Sequence, residues 1–221
     1  MTDAALLVFA KVPHPGRVKT RLTSAYAPEA AAQLYEAMLR DALDQYAGLG
    51  VAVRLHFPQP VATVPPSYAD ERWSLHEQRG AGLGPRMLHA VLEAFAAGFR
   101  RVMLIGTDHP TLPSSFIEQG YGLLRQPKQI VIGPSEDGGY YALGMNEAYP
   151  QLFAGMAYSH ADVFAQTLER ALATPAEVAV LPAWYDVDTP AEVERLNADL
   201  QTLSATKLPR TRAILRQLNV V

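Results

Sequence analysis

Four aspartates and four cations hold most of the chemistry this sequence can offer. Lys11, Arg17, Lys19 and Arg21 fall within eleven residues, in Lys11-Val12-Pro13-His14-Pro15-Gly16-Arg17-Val18-Lys19-Thr20-Arg21. Clustered ammonium and guanidinium groups, on a backbone shaped by two prolines and Gly16, suit a nucleotide diphosphate; the same stretch also reads as a solvated basic loop. Asp108 lies in Gly106-Thr107-Asp108-His109-Pro110, where Pro110 biases His109 toward extended backbone. A carboxylate there can bind magnesium or manganese, with phosphate oxygens and waters completing the shell, or bond to amides of its own turn. Asp186 and Asp188 are two positions apart. On extended chain both carboxylates point the same way and repel unless a cation sits between them. Asp137-Gly138-Gly139-Tyr140 is a hairpin signal. Its glycines permit close backbone approach, Tyr140 can stack or hydrogen-bond, and Asp137 can orient a hydroxyl or act as a base.

The elements that must position these groups alternate along the chain. Residues 4–10 are an unbroken apolar run, as expected of a strand buried on both faces. A helix over 28–47 has a stripe of Leu34, Tyr35, Met38, Leu39, Ala42, Leu43 and Tyr46. In the second strand, Val51, Val53, Leu55 and Phe57 alternate with Ala52, Arg54 and His56. A short strand over 73–78 runs into a stretch with three glycines, Arg79-Gly80-Ala81-Gly82-Leu83-Gly84. A helix over 85–99 follows, with Arg86 in its first turn, where a cation opposes the helix dipole and favours an anion; the position equally suits a surface arginine. Strands are expected at 101–106, 129–133 and 178–181, the second of them followed by a turn and another strand. Ser115 and Glu118 read as a capping box, and Ser159 as a cap for a helix over 161–173. Thr189-Pro190-Ala191-Glu192 is a capping box with proline at the first helical position, opening a helix to about residue 203. The basic tail, 204–221, reads as an added helix on the sheet, an interface element or a solvated surface helix. This alternation implies a single α/β domain with a mostly parallel central sheet and helices on both faces. In such sheets ligands bind beyond the carboxyl ends of the strands, where segments 11–21, 107–110, 137–140 and 186–188 all fall.

Composition narrows the field. The chain has 221 residues, 49% hydrophobic, enough for one sizeable core. A net charge of -3 argues against nucleic-acid binding, so the basic loop is a local feature suited to a small anion. The absence of cysteine excludes disulfides, cysteine-ligated zinc and a thiol nucleophile. No apolar run reaches membrane-spanning length and no basic leader opens the chain, so a cytoplasmic protein is expected. The Walker A, G-x-G-x-x-G, G-x-S-x-G and H-x-x-x-H patterns are all missing.

The stretch FAKVPHPGRVKTRL resembles the opening motif of a bacterial family of glycosyltransferase-like proteins with the Rossmann-like GT-A fold. That family is related to the nucleotidyltransferases that build the molybdenum and deazaflavin cofactors. Gln78, Gly80, Leu83, Gly84, Arg86 and Met87 match its Q-x-G-x-x-L-G-x-R-M pattern, and Gly106 to Pro110 resembles its metal-site motif. The resemblance implies nucleotide binding by Lys11, Gly16, Arg17, Lys19, Arg21, Gln78 and Arg86. It implies Mg2+ or Mn2+ on Asp108, Asp186 and Asp188, with Asp108 and Asp188 as the main pair. It places an acceptor near Asp137, Gly138, Gly139 and Tyr140, and leaves Asp108, Asp137 and Asp188 as the catalytic carboxylates. Where the family has tryptophan before the serine at 159, this chain has Tyr158. The expected activity is sugar transfer from a nucleoside-diphosphate sugar to a small acceptor. Nucleotidyl transfer with pyrophosphate release, and nucleotide binding by a regulatory protein without turnover, are the alternatives.

Overall fold

Strand β1, Ala4–Phe9, runs through the centre of the molecule, in a computed structural model that describes residues 2–158 and 160–218. Ala4, Leu6 and Val8 face one hydrophobic cluster, and Ala5 and Leu7 face another. Leu6, Leu7 and Val8 have no exposed surface, each contributing about 1.5–3 kcal/mol by burial. After β1 come α1 (Pro28–Ala47), β2 (Ala52–Phe57), β3 (Trp73–Glu77), α2 (Leu83–Ala96), β4 (Arg101–Ile105) and α3 (Ser114–Leu123). These are followed by β5 (Gln129–Pro134), β6 (Tyr140–Met145), α4 (Val163–Leu172), β7 (Glu177–Val180), α5 (Pro190–Thr202) and α6 (Pro209–Gln217).

The strands form one seven-stranded sheet in the order β3-β2-β1-β4-β6-β5-β7. The pairs β1–β2, β1–β4, β2–β3 and β5–β7 are parallel, whereas β6 is antiparallel to β4 and β5. Helices α1 and α3 cover one face; α2 and α4 cover the other. The expected mostly parallel sheet with helices on both faces is therefore the observed architecture. The Asp137–Tyr140 segment is the turn between β5 and β6, as its sequence signalled.

Three local expectations need correction. Helix α3 begins at Ser114 behind Pro113 and has no side-chain cap, so Ser115 and Glu118 form no capping box. Helix α4 begins later than expected, behind Asp162, and the cap assigned to Ser159 lies outside the described residues. The tail helix α6 packs on α1, not on the sheet. Leu208 and Leu215 join Leu34 and Met38 in a third apolar cluster. Thr211 donates from both its backbone N and its Oγ1 to Asp41 Oδ2, each at 2.8 Å. Residues 219–221 lie outside the described set.

The alternation in β2 also hides something. Val53, Leu55 and Phe57 enter the core as expected, but Arg54 and His56 are buried too, at 8% and 0% exposure. His56 stacks between Phe9 and His76, with ring centroids 5.3 and 4.9 Å away. Burial, then the neighbouring His76, Arg54 and His89, push the His56 pKa down to about 2. Burial and Arg54 push His76 down to about 4. Below the ordinary histidine pKa of about 6.5 the unfolded chain takes up protons that the folded chain refuses, so stability falls as pH falls. Both histidines stay neutral in the fold between pH 7 and pH 5, so His56→Phe should remove about half of this slope. Denaturant unfolding near pH 7 and near pH 5 should show wild type losing about 2 kcal/mol more than the variant across that interval.

Candidate functional site

Three strand ends and two loops meet beyond the carboxyl edge of the sheet. Ala10 N donates to His56 O at 3.0 Å, and Gln78 N donates to Phe57 O at 2.8 Å. The Gln78 side-chain amide donates to Ala10 O (3.2 Å) and His56 O (2.9 Å), so one residue ties the ends of β1, β2 and β3. Tyr35, on α1, accepts from Lys11 N at 2.9 Å and shares a 3.2 Å hydrogen bond with Thr107 Oγ1. Its hydroxyl thus holds the basic loop after β1 against the loop after β4. Val187 N donates to Asp108 O at 2.8 Å, which hangs segment 186–188 on that same loop.

Lys19 sits where these pieces converge. Its backbone is left-handed, with φ 46° and ψ 43°, a shape that crowds Cβ and is uncommon outside glycine, asparagine and aspartate. Its side chain is 3% exposed, and its ammonium bridges Asp108 Oδ1 and Asp188 Oδ1, the latter at 2.8 Å. The two carboxylate side chains keep 42% and 33% of their surface. Burial opposes a charge on Lys19, yet Asp108 and Asp188 outweigh it and hold its pKa above the usual lysine range. Burial also works against ionised Asp108, but Lys19, with His109 and Lys11, keeps its carboxyl below the usual carboxylate range. Lys19 and Asp108 are therefore both charged at neutral pH. The backbone of Asp188 is set by the capping box of α5: Asp188 N and Thr189 N both donate to Glu192 Oε2 at 2.7 Å.

Asp186 does not join that pair. Its Oδ1 accepts from His109 Nδ1 at 2.9 Å and from Ser135 Oγ at 3.4 Å, and its side chain is 15% exposed. The three aspartates divide into Asp108 with Asp188 on the Lys19 ammonium, and Asp186 bound to a buried histidine. Among the described residues no three His, Asp or Glu side chains are grouped to hold a metal. The residues at the Lys19 position do fit a divalent cation. Two partly exposed carboxylates already share one positive charge, and magnesium commonly takes only one or two protein carboxylates.

A cleft of about 750 Å³ opens over these groups. Lys11, Lys19, Arg21, Gln78 and Arg86 line it together with Asp108, Asp137, Gly139, Tyr140 and Asp188. Gly16 and Arg17 belong to the exposed part of the basic loop and do not line it, nor do Gly138 and Asp186. Arg86 lines the cleft while its Nε donates to Gly80 O at 3.1 Å. A Cβ at Gly80 would lie 2.9 Å from Arg86 N, so the close approach that this glycine permits is to the start of α2.

The amides of the Asp-Gly-Gly turn are already engaged. Gly138 N donates to Ser135 O at 3.2 Å, Gly139 N donates to Asp137 Oδ1 at 2.8 Å, and Gly138 O accepts from Phe164 N at 2.8 Å. Beside Gly139, the side chains of Asp137 and Tyr140 are what this turn presents to the cleft. Burial raises the Tyr140 pKa well above its ordinary value, so it is an O–H and not a phenolate, and it donates to Met87 Sδ at 3.7 Å. Tyr158 lines the cleft as well, so the aromatic character of that position is kept despite the change from tryptophan. Sequence reasoning missed two contributors. Tyr35 reads as one more apolar position on the α1 stripe, although a buried tyrosine hydroxyl needs a partner. His109 reads as a loop residue, although it is what captures Asp186.

Residues 47–160 match the family described as "Uncharacterized protein conserved in bacteria (DUF2064)". Among solved structures, the chain is similar to a candidate nucleotide-diphospho-sugar transferase from Desulfovibrio desulfuricans G20. That likeness has 34% identity and a TM-score of 0.88, over 99% of this chain and 96% of that one. The fold is shared more distantly with 4-diphosphocytidyl-2C-methyl-D-erythritol synthase from Anaerococcus prevotii DSM 20548, at 12% identity and a TM-score of 0.59 over 90% of this chain and 96% of that one. It is shared also with Rv0371c from Mycobacterium tuberculosis H37Rv in complex with manganese, at 17% identity and a TM-score of 0.50 over 88% and 97%. No curated protein matches the sequence.

Proposed function

The chain belongs to the DUF2064 family, and from that premise we propose that it is a metal-dependent transferase that moves a sugar from a nucleoside-diphosphate sugar to a small acceptor. The observation that carries this reading is the convergence of Lys19, Asp108 and Asp188 on one cleft that Lys11 and Arg21 also line. The 34%-identical relative, which is described as a nucleotide-diphospho-sugar transferase candidate, supports it.

In this reading the diphosphate lies over the end of β1, with Lys11, Lys19 and Arg21 offsetting its charge. A magnesium or manganese ion on Asp108 and Asp188 would supply further charge neutralisation at the phosphate oxygens. Asp186 acts at a distance from the ligand, holding His109 and so the shape of the loop that carries Asp108. An acceptor oxygen attacks the anomeric carbon of the sugar. The bond from that carbon to the β-phosphate oxygen breaks, and the nucleoside diphosphate leaves with the electron pair. The acceptor proton passes to a carboxylate, and Asp137 is the one that the β5–β6 turn presents to the cleft. Tyr140 and Tyr158 give the acceptor aromatic surface.

The test is incubation with MgCl2 or MnCl2 and panels of nucleoside-diphosphate sugars and nucleoside triphosphates. Metal-dependent release of a nucleoside diphosphate is the expected result. Release of pyrophosphate would replace glycosyl transfer with nucleotidyl transfer on the same cleft. Nucleotide binding that ignores the metal and gives no turnover would leave a regulatory protein in place of an enzyme.

A further inference from the structure

The Asp108–Asp188 pair already holds a cation, and it belongs to the chain itself. An ammonium has three N–H donors, and Lys19 directs two of them at these carboxylates. The nitrogen also lies 5.9 Å from the centre of the Tyr35 ring. The lysine is almost fully buried while the carboxylates keep a third or more of their surface, so an entering metal meets carboxylates whose charge is partly taken up from behind. The left-handed backbone at Lys19 turns its side chain into this position at a conformational cost.

We propose that Lys19 is the resident counter-ion of Asp108 and Asp188, and that a polyphosphate draws it off the pair, so that divalent metal and nucleotide each bind weakly alone and tightly together. This rests on the reading of the cleft as a metal–nucleotide site. A metal arriving alone must share the carboxylates with an ammonium it repels. A diphosphate arriving with it gives the ammonium other oxygens, in the cleft that Lys11 and Arg21 also line. Two ligands that favour the same displaced state of Lys19 raise each other's affinity by the same factor.

Lys19→Met and Lys19→Gln, each titrated with MnCl2 alone and followed by the electron paramagnetic resonance of free manganese, test the proposal. With the lysine gone and no anion present, manganese should bind about tenfold tighter or more than in wild type, the size of a typical coupling. Adding Asp108→Asn to either variant should cancel the gain. Manganese binding of equal or lower affinity in the Lys19 variants would overturn the proposal while leaving the metal site in place. No manganese binding in wild type with a nucleoside diphosphate, nor in either Lys19 variant, would instead remove the metal-site reading beneath it. Should both variants fail to fold, the Nζ resonance of Lys19 in the wild-type chain decides. It should hold its position in MgCl2 and shift when inorganic pyrophosphate is added, and a resonance that ignores pyrophosphate would overturn the displacement.

Discussion

Asp108→Asn should lower magnesium-dependent nucleotide affinity about a hundredfold or more, and should do so in a protein that still folds. A hundredfold loss corresponds to about 2.7 kcal/mol, in the range expected when a charged group that meets a metal or phosphate loses its charge. The fold is expected to survive because the structural duty of Asp108 is carried by its backbone. Val187 N bonds to the Asp108 carbonyl, which asparagine retains. Lys19 keeps Asp188 as an ion-pair partner, so the variant leaves no buried charge without compensation, the condition that makes a broken pair severe. The Asp108 carboxylate is also partly exposed, and the loss of stability should be only about 1 kcal/mol. Isothermal titration with a nucleoside diphosphate, with and without MgCl2, gives the affinities, and denaturant unfolding gives the stability. Unchanged magnesium-dependent affinity would refute the role given to Asp108.

Gly138→Ala should have the largest effect on stability, about 3 kcal/mol or more. Its φ is +90°, where L side chains are strained, and a Cβ there would overlap the backbone carbonyl of Ala161. The obstacle is backbone and not the tip of a flexible side chain, so relief requires moving the start of α4 away from the β5–β6 turn. That shift would break the 2.8 Å bond from Phe164 N to Gly138 O and move Tyr158 and Val163, both on the cleft wall. Urea unfolding measures the loss. An alanine variant as stable as wild type would show that the turn and α4 are not tightly packed. At neighbouring Gly139 a Cβ would lie 3.1 Å from the Asp137 side chain, which can rotate away, so Gly139→Ala should be far milder.

How much of this could be read from residues alone depended on the range of the interactions involved. The apolar run of β1, the α1 stripe and the Thr189–Glu192 capping box act within a turn or two of the chain, and each stands where its pattern placed it. The order of strands and helices then implied which loops share the carboxyl edge, and Lys19, Asp108 and Asp188 do meet there. Patterns that needed knowledge of the neighbours did less well. Alternation in β2 marked Arg54 and His56 as the polar side, yet α2 covers that side and pairs Arg54 with Glu93 at 3.7 Å. The basic tail carried charge enough for a solvated helix, but Asp41, thirteen residues into α1, captures it.

What the sequence by itself determined about this protein is its class and the set of chemical groups on one rim: a parallel-rich α/β sheet, a basic loop after the first strand, and acidic loops after later ones. Periodicity and turn chemistry are local, and they survive without a structure. Only the tertiary structure decided how those groups pair. By residue type and spacing Asp186 and Asp188 look alike, and only the family resemblance set Asp188 beside Asp108; in space His109 lies within reach of Asp186 and Lys19 within reach of Asp188. Charges choose partners by distance in space, and the Lys19–Asp188 contact closes over a separation of 169 residues, which no spacing along the chain encodes.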